Sequence, residues 1–414
     1  MIEFKDFGIE DNARYLEYVK RCIQIPSDSS PINLLGNKDK YDVKRGYAEN
    51  LCWHKFIYND MEFWGVPAGD WDEINWREVF AKHVPEDTVF YFVPEYLVNL
   101  WQKQLGSAID IEDDRNDWDY ILDLERMEKL QGKKLKSFRM ARNAFEKNYN
   151  YTVEEITPKI FDELKAFQSA AEENLQARVE SLNIAKDDNA MFLFALEHWD
   201  ELKNLFGFVV RVDGKIVAYT LDEQLDETTS IGLFAKADYE FKGVNQFAYW
   251  YDAKINLERG NLTQNLMDDV GEENLRFFKE HLYPLVMLKK FIVTYEPSEA
   301  EELPIIETQE EQHGLKISSE RLGKDLTIKL SGKLNTDAAI SSKDKILAAL
   351  DGAEKILFDL DGLEYISSSG LRILVAAFKK VKAQGGSMTI KNIGEQVREV
   401  LDMTGFAQIF NLEE

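Results

Sequence analysis

An acidic stretch, EPSEAEELPIIETQEEQHG at 296–314, divides this 414-residue chain into two parts of unequal size. It contains two prolines and seven glutamates and has no lysine or arginine, a composition typical of an extended, self-repelling linker. The alternative is an acidic segment bound to a neighbouring surface. A linker here leaves about 100 residues after it, enough for one small domain, and about 295 before it, more than one ordinary core holds.

The composition predicts a folded, cytoplasmic protein. Hydrophobic residues make up 44% of the chain and aromatic residues 12%, which is enough for packed interiors and excludes wholesale disorder. No apolar run reaches the roughly 18 residues that a membrane-spanning helix needs, and the charged start is unlike a secretory signal. Cys22 and Cys52 form no C-x-x-C motif and the five histidines share no ligand spacing, so we expect a reducing compartment and no metal site.

The net charge of −25 is unevenly distributed along the chain. Residues 315–414 carry 14 acidic and 14 basic side chains, whereas residues 1–295 carry a net charge of −18. A net-acidic body repels polyanions at long range, which argues against DNA binding and against docking on anionic lipid through bulk charge. A local basic pocket remains compatible with this balance, and simple solubility is the plain explanation for the charge.

The last hundred residues alternate strand and helix signals. Leu326, Ile328 and Leu330 alternate with polar residues as in a half-buried strand, and the apolar run 356–358 suits a strand covered on both faces. An amphipathic helix is predicted after it by the spacing of Leu371, Leu374, Val375 and Phe378. This alternation predicts a small α/β domain.

Three serines, Ser367, Ser368 and Ser369, stand directly before Gly370 at the start of this helix. Serine is a favoured helix N-cap, so capping alone is one explanation for them. A helix start also carries about half a positive charge and exposed N–H donors, which stabilise a phosphate placed there. A kinase could therefore add roughly two negative charges without unfolding the domain, and the new charge would alter the surface that a partner contacts.

The segments FDLDGLEYISSSGLRILV (358–375), SGKLN (331–335) and NIGEQVREVLDMTGFAQIF (392–410) together resemble the STAS family, which includes the anti-sigma-factor antagonists. The resemblance covers essentially all of 315–414. It implies a small α/β STAS domain that acts as a switch between protein partners, of the anti-sigma-factor or serine-kinase type.

The resemblance also implies roles for individual residues. The phosphorylated Ser or Thr of the family immediately precedes the loop glycine, a place held here by Ser369 before Gly370. Asn335, Ser367 and Ser368 then belong to the same switch loop. Relatives commonly have acidic residues at the positions of Asn335 and Ser367, so the expected kinase-facing surface carries less negative charge here.

The part before the acidic stretch contains mixed α/β signals. GFVVRVDGKIVAYTLDEQL (207–225) predicts two strands joined by a tight Asp-Gly turn at 213–214. Residues 237–260 predict a turn followed by a helix, and a turn bearing Lys242 and Gly243 at a helix start could hold a pyrophosphate through its backbone amides. A plain loop-to-helix junction explains the same pattern.

Three segments, 117–149, 213–225 and 269–291, resemble the soluble family related to the phosphatidylglycerol lysyltransferase C-terminal domain. This resemblance implies two tandem GNAT-like mixed α/β domains, at 1–115 and 116–295, so that the whole chain is of the α/β (α+β) class with STAS last. Relatives of this type transfer an acyl or aminoacyl group from acyl-CoA or aminoacyl-tRNA to an amine or a hydroxyl.

An active transferase of this type needs no side-chain nucleophile. A bound ester or thioester and an acceptor amine react by proximity, helped by oriented amides and a general base. The candidate donor-binding residues are Lys133, Lys134, Arg139, Lys242 and Gly243. The candidate acids or bases are Asp222, Glu223, Asp268 and Asp269. A solvated helix face is the alternative explanation for the basic residues near 133–139.

At two places the polar residues usual in that family are missing. The segment LFAKA (233–237) is apolar where many relatives carry a histidine–acidic pair, and Asn-Leu-Met at 265–267 stands where relatives usually show Asn-Arg-Glu. These changes remove proton transfer and anion clamping. We therefore expect a signalling protein in which a ligand-sensing or scaffold region, 1–295, is joined to a STAS output. An active transferase and a structural component of a large complex are the alternatives.

Overall fold

The computed structural model describes residues 1–58, 61–176, 182–297 and 314–413. The acidic stretch 296–314 falls almost entirely outside these ranges, so its role as a linker stays a prediction. Within the described ranges, no helix has the length and apolar character needed to cross a bilayer.

The first part of the chain forms a mixed sheet flanked by short helices. Its strands are β1 (Lys5–Asp6), β2 (Lys44–Ala48), β3 (Leu51–Tyr58), β4 (Met61–Trp64), β5 (Thr88–Pro94) and β6 (Ile109–Asp113). Its α-helices are α1 (Asn12–Val19), α2 (Pro31–Leu35), α3 (Lys38–Tyr41), α4 (Trp76–His83) and α5 (Glu95–Leu105).

The second part repeats this mixture of strands and helices. Its strands are β7 (Asp119–Asp123), β8 (Tyr151–Glu155), β9 (Leu205–Val212), β10 (Lys215–Gln224), β11 (Thr229–Ala237), β12 (Thr263–Asn265), β13 (Val286–Leu288) and β14 (Lys290–Tyr295). Its α-helices are α6 (Leu124–Lys129), α7 (Lys136–Asn148), α8 (Phe161–Gln176), α9 (Leu182–Glu197), α10 (Val244–Glu258) and α11 (Glu273–Glu280).

The two sheets have the same plan in the described residues: seven strands, with one parallel pair among antiparallel neighbours. The first has the order β1-β2-β3-β4-β5-β14-β6, with β4 and β5 parallel. The second has the order β13-β7-β12-β11-β10-β9-β8, with β11 and β12 parallel. Strand β14 thus leaves the second part and lies between β5 and β6. The division of the chain between 115 and 116 stays a prediction.

Local turn signals are reproduced in the second sheet. The predicted hairpin is confirmed, because β9 and β10 pair antiparallel across Asp213 and Gly214, whose φ angles are 50° and 79°. Helix α10 begins after Gly243, whose φ is 89°. A Cβ at Gly243 would lie 2.1 Å from the Ala141 carbonyl oxygen of α7, so glycine allows these two helices to approach closely.

The C-terminal part is an α/β domain, as its alternating pattern predicts. Its strands are β15 (Lys316–Leu322), β16 (Asp325–Leu334), β17 (Lys355–Asp359), β18 (Leu363–Ile366), β19 (Ser387–Lys391) and β20 (Asn411–Glu413). Its α-helices are α12 (Thr336–Ala349), α13 (Ser368–Ala383), α14 (Glu395–Met403) and α15 (Phe406–Ile409).

Helix α13 begins earlier than its sequence suggested. The sheet runs β15-β16-β17-β19-β20, and the short strand β18 pairs parallel with β16 and ends just before the helix. Ser367 is the N-cap of α13, so Ser368 and Ser369 lie in its first turn rather than in a loop. The serine cap provides the physical reason, since its side chain satisfies an N–H of the first turn.

Large aromatic side chains fill the core beside the first sheet and fix the loop 70–73. Trp71 and Trp76 are buried, and the rings of Trp76 and Trp101 meet edge to face with centroids 5.4 Å apart. The Trp71 indole donates to the Pro67 carbonyl at 2.7 Å, and the Trp71 carbonyl accepts from the Trp76 indole at 3.2 Å. The acidic residues on either side of Trp71 are therefore held on a firmly packed loop.

Candidate functional site

The three serines at the start of α13 differ in how much of each reaches solvent. Ser367 is fully buried; its Oγ accepts from the Gly370 N–H at 3.2 Å and donates to the Leu334 carbonyl at 3.2 Å. Ser368 is 2% exposed, and its Oγ has no hydrogen-bond partner in the described part of the chain. Ser369 is half-buried. Of the three, Ser369 is the most exposed to solvent.

The other predicted switch residues lie at the same end of the sheet, where β16 and β18 finish. Asn335 is the N-cap of α12, where its Oδ1 accepts from the Ala338 N–H at 2.9 Å. The ends of β16 and β18 are neighbours, since Leu334 pairs with Ile366 and its carbonyl accepts from the Ser367 N–H at 3.0 Å. The starts of α12 and α13 therefore lie close together, and the structure brings Asn335 near the three serines and Gly370. Phosphorylation of Ser369 itself stays a prediction.

A carboxylate of the first part of the chain lies against the start of α13. The Asp72 carboxyl accepts from the Tyr96 hydroxyl at 2.5 Å and lies at the backbone N–H of Ser368. The Tyr365 hydroxyl lies beside the same carboxyl without a hydrogen bond of ordinary geometry. Burial raises the pKa of Asp72 to about 6, although the neighbouring hydroxyls and the N–H act to lower it.

Two further acids of the same loop meet the start of α12. The Thr336 hydroxyl donates to the Asp70 carboxylate, and the Glu73 carboxylate lies at the Thr336 N–H. Burial raises the pKa of Glu73, and the charges of Asp70 and Asp337 add to this effect. Three carboxylates of the loop 70–73 thus face the starts of two helices of the C-terminal domain.

More contacts join the C-terminal domain to the preceding parts. Leu371 and Val375 of α13 are buried there beside Ile25, and the three line a narrow cleft between the domains. The polar contacts are Arg372 Nη2 to the Cys22 carbonyl at 3.2 Å, Gln24 Nε2 to the Met403 carbonyl at 2.9 Å, Gln408 Nε2 to the Leu285 carbonyl at 2.8 Å, and the pairs Lys382–Glu125 and Lys379–Glu227 carbonyl.

A buried lysine lies among three carboxylates between the two large sheets. Lys290, at the start of β14, is fully buried, and its Nζ lies 2.6 Å from Asp28, 2.8 Å from Asp119 and 3.2 Å from Asp268. Burial raises the pKa of Asp28 to about 7 and also raises that of Asp268. Burial acts to lower the pKa of Lys290, but the carboxylates outweigh it and hold that pKa well above its usual value. The ammonium therefore supplies the positive charge that these acids need.

Asp222 and Glu223, two of the predicted catalytic acids, follow one another on β10 and point to opposite faces of the sheet. Asp222 accepts from Asn256 Nδ2 at 2.8 Å, and burial together with the neighbouring Asp252 holds its pKa well above the usual range. Glu223 is fully buried and accepts from the Ser30 hydroxyl, and burial raises its pKa to about 7.

Asp269, another predicted acid, is also engaged internally. It accepts from the Tyr120 hydroxyl at 2.5 Å and pairs with Arg276 at 2.6 Å and Arg115 at 3.4 Å. Burial acts to raise its pKa, but Arg276 and Tyr120 outweigh this and lower it. With Asp268 in the Lys290 cluster, the four candidate acids belong to four separate polar groups rather than to one cleft. Their catalytic roles stay predictions.

The predicted donor-binding residues lie on and around α7. Lys133, Lys134 and Lys242 are exposed, whereas the Arg139 guanidinium donates to the carbonyl that ends α6. Residues 129–147 contain seven lysines and arginines and one glutamate, which makes this surface basic within a strongly acidic chain. Gly243 has a packing reason for being glycine, and a role in donor binding is a prediction for all five residues.

Two mixed seven-stranded units followed by a small α/β unit, whose sheet is parallel except for the β15–β16 pair, define the class: tandem GNAT-like domains with a STAS-like domain. The family model of the phosphatidylglycerol lysyltransferase C-terminal domain matches residues 23–294, and that of the STAS domain matches residues 316–414. The chain belongs to the phosphatidylglycerol lysyltransferase C-terminal family and carries a STAS domain after the transferase-like region. Both resemblances inferred from the sequence are confirmed.

Individual relatives agree with this assignment. A conserved protein of unknown function from Bacteroides thetaiotaomicron has a structure similar to this one, with a TM-score of 0.66 and 23% identity over 72% of this chain and 100% of the other. FemX gives a TM-score of 0.52 at 11% identity over 71% of this chain and 97% of its own. The anti-sigma-B factor antagonist of Bacillus subtilis is 27% identical over 88 residues, 21% of this chain and 81% of the relative. The two structures support the fold of the transferase-like region, and the antagonist supports the STAS domain.

Sequence reasoning missed the loop 70–73 and the Lys290 cluster. The loop reads Asp-Trp-Asp-Glu, an ordinary exposed turn in an acidic chain, and nothing local connects it with helices far along the sequence. Lys290 had a usable signal, because it stands inside the apolar stretch 286–295, where a charged side chain needs a partner.

Proposed function

We propose that this protein is a regulatory switch in which phosphorylation of Ser369 in the STAS domain controls binding to a protein partner of the anti-sigma-factor or serine-kinase type. The observation that carries the proposal is that Ser369 is half-buried, whereas the two serines before it, Ser367 and Ser368, are buried. Ser367 is committed to capping and Ser368 is enclosed, so Ser369 is the serine of this group that a kinase can modify. A phosphate there adds roughly two negative charges at a helix start, whose partial positive charge favours an anion.

The transferase-like region is proposed to act as a sensory or scaffold part that binds a small molecule or positions the STAS domain. The internal pairing of its candidate acids supports this, because a carboxylate held by buried partners is not free to act on a substrate. Asp222 and Glu223 are buried at 1% and 0% exposure, and Asp269 is bound by two arginines.

The test combines phosphopeptide mapping with pull-downs from the source cell. We expect phosphate on Ser369 in the wild-type protein, and capture of a partner in an amount that differs between the wild type and Ser369→Asp. Ser387→Asp is the matched control, because Ser387 is an exposed serine at the start of β19, at the end of the sheet away from the starts of α12 and α13. An unmodified Ser369, together with equal partner capture by Ser369→Asp and wild type, would contradict the proposal.

A second candidate function is favoured by the basic surface at 129–147: transfer of an acyl or aminoacyl group from acyl-CoA or aminoacyl-tRNA. Both donors carry phosphates, and neutralising them releases counterions, so affinity should fall steeply with salt. The triple variant Lys133→Glu, Lys134→Glu, Lys136→Glu should weaken donor binding at least about tenfold and reduce the salt slope. The double variant with glutamate at the exposed Lys343 and Lys345 is the control. Absent donor binding by calorimetry and absent turnover would remove this function.

A further inference from the structure

The acidic loop, residues 70–73, brings carboxylates to the start of α13, and also to the start of α12, whose first turn already contains Asp337. Both helices have neutral N-caps, Asn335 and Ser367, and the first turn of α13 contains no acidic residue. A helix start attracts anions through its unpaired N–H groups and its dipole. The carboxylates of Asp72 and Glu73 occupy these places, at the first N–H group of each helix.

The acidic loop is presented as a rigid element rather than as a loose tail. Trp71, between Asp70 and Asp72, is 2% exposed and bonded through both its indole and its carbonyl. The hydroxyl of Tyr96, a residue of α5, donates a hydrogen bond to the Asp72 carboxyl and holds it in place. The surface that faces the switch is therefore preformed, and its contact with the STAS domain needs little ordering of the loop.

On the basis of the proposed function, we propose that the acidic loop binds the STAS switch surface, formed by the starts of α12 and α13, while Ser369 is unmodified. A phosphate on Ser369 then separates the two and frees this surface for an external protein. The kinase step transfers the terminal phosphoryl group of ATP to Ser369 Oγ. The new P–O bond forms as the bond to ADP breaks, and the hydroxyl proton is released.

Charge provides the reason for separation. The N–H of Ser368 faces Asp72, and Ser369 is the next residue. A phosphate on Ser369 would therefore bring roughly two negative charges beside the three carboxylates of the acidic loop. Neighbouring like charges repel strongly when they are partly buried, and the start of α13 can stabilise either the phosphate or the Asp72 carboxylate, not both. Phosphate and Asp72 thus compete for the same place.

Docking also hides the face that a partner would use. Leu371, Arg372 and Val375 of α13 lie against the segment 22–25, and Arg372 is bonded to the Cys22 carbonyl. An external protein that binds this side of α13 has to displace the segment. Phosphorylation then acts by shifting the population from a closed arrangement to an open one.

Hydrogen–deuterium exchange on the full-length protein tests the inference. We expect Ser369→Asp to speed exchange at least about tenfold in peptides covering 368–376 and 20–26, because both become exposed on opening. Ser387→Asp should leave both peptides unchanged. Exchange in β17 and β19 should remain slow in every variant, which shows that the STAS fold is intact.

A second pair of substitutions separates repulsion from damage to the helix. In the background Asp72→Asn, Glu73→Gln the loop has lost two charges but keeps its shape, so Ser369→Asp should speed exchange less than about threefold. The same tenfold increase in this background would overturn the inference, as would unchanged exchange in Ser369→Asp alone. The measurement needs no kinase or partner. An absent phosphate in the cell therefore refutes the proposed function without altering the exchange result, and an absent exchange response refutes the docking inference even where Ser369 is phosphorylated.

Discussion

Replacing Lys290 with methionine removes the positive charge at the centre of the buried carboxylate cluster while keeping an unbranched side chain. Its Nζ lies 2.6, 2.8 and 3.2 Å from Asp28, Asp119 and Asp268, and the Lys290 and Asp119 side chains are fully buried. Removing one partner of a buried ion pair costs about 3–5 kcal/mol, because the remaining charge has neither solvent nor partner. Since Lys290 faces three acids, we expect a loss in the free energy of unfolding of roughly 4–5 kcal/mol near pH 8.

Protonation sets how far this loss is relieved. Burial already raises the pKa of Asp28 to about 7, and without Lys290 the acids bind protons more strongly still. A carboxyl pKa that is raised in the folded state means that the folded protein binds more protons than the unfolded one, so stability falls as pH rises through that pKa. The deficit of Lys290→Met relative to wild type should therefore be largest near pH 8 and shrink toward pH 5.

Urea unfolding followed by tryptophan fluorescence measures this difference. All eight tryptophans precede residue 251, so the signal reports the transferase-like region alone. Lys82→Met is the control within the same region, because the Lys82 side chain is 65% exposed and lies 2.7 Å from Glu49; its loss should cost less than about 1 kcal/mol. A loss below about 1 kcal/mol for Lys290→Met at pH 8, or a deficit that grows toward pH 5, would refute the reasoning.

Three further substitutions test other parts of the structure. Burial lowers the pKa of His54 to about 4, so protonation of His54 destabilises the folded state as pH falls from about 6.5 toward 4. His54→Gln should therefore reduce the loss in the free energy of unfolding over this pH range by up to about 3 kcal/mol, measured by urea unfolding. Gly243→Ala should cost about 2–4 kcal/mol in thermal unfolding because of its positive φ and the close carbonyl, whereas Gly214→Ala, with open space around it, should cost only about 1 kcal/mol. Asp222→Asn should change stability by less than about 1 kcal/mol, because burial and the neighbouring Asp252 hold the pKa of Asp222 well above its usual range and so disfavour its charged form, which the neutral amide replaces; a loss above about 2 kcal/mol in urea unfolding would contradict this.

Local patterns predicted local structure well. The Asp-Gly turn at 213–214, the amphipathic pattern of α13 and the alternation after residue 315 all act over fewer than about 20 residues, and each appears in the structure. The start of α13 was misplaced because β18 has only four residues, too few for a period to show.

Long-range pairings escaped prediction for a physical reason. The acidic loop and α13 meet because of how whole domains pack, and a short acidic turn carries no local sign of its partner. The same holds for Lys290, whose three carboxylates come from distant positions in the chain. For Ser369, the motif predicted its place and the structure added its exposure relative to its neighbours. Its modification remains to be measured.

The insertion of β14 between β5 and β6 ties the completion of the first sheet to the end of the second. Roughly 180 residues separate Asp113, the last residue of β6, from Lys290. At a synthesis rate of about 5–20 residues per second, the nascent chain waits roughly 10–35 s with β5 and β6 lacking their common neighbour. Such unpaired edges invite wrong pairing with other chains. The first sheet is therefore most prone to aggregation while the chain is still being synthesised, and this is when a chaperone would protect it most. Fragments that end near residue 115 should aggregate when expressed alone.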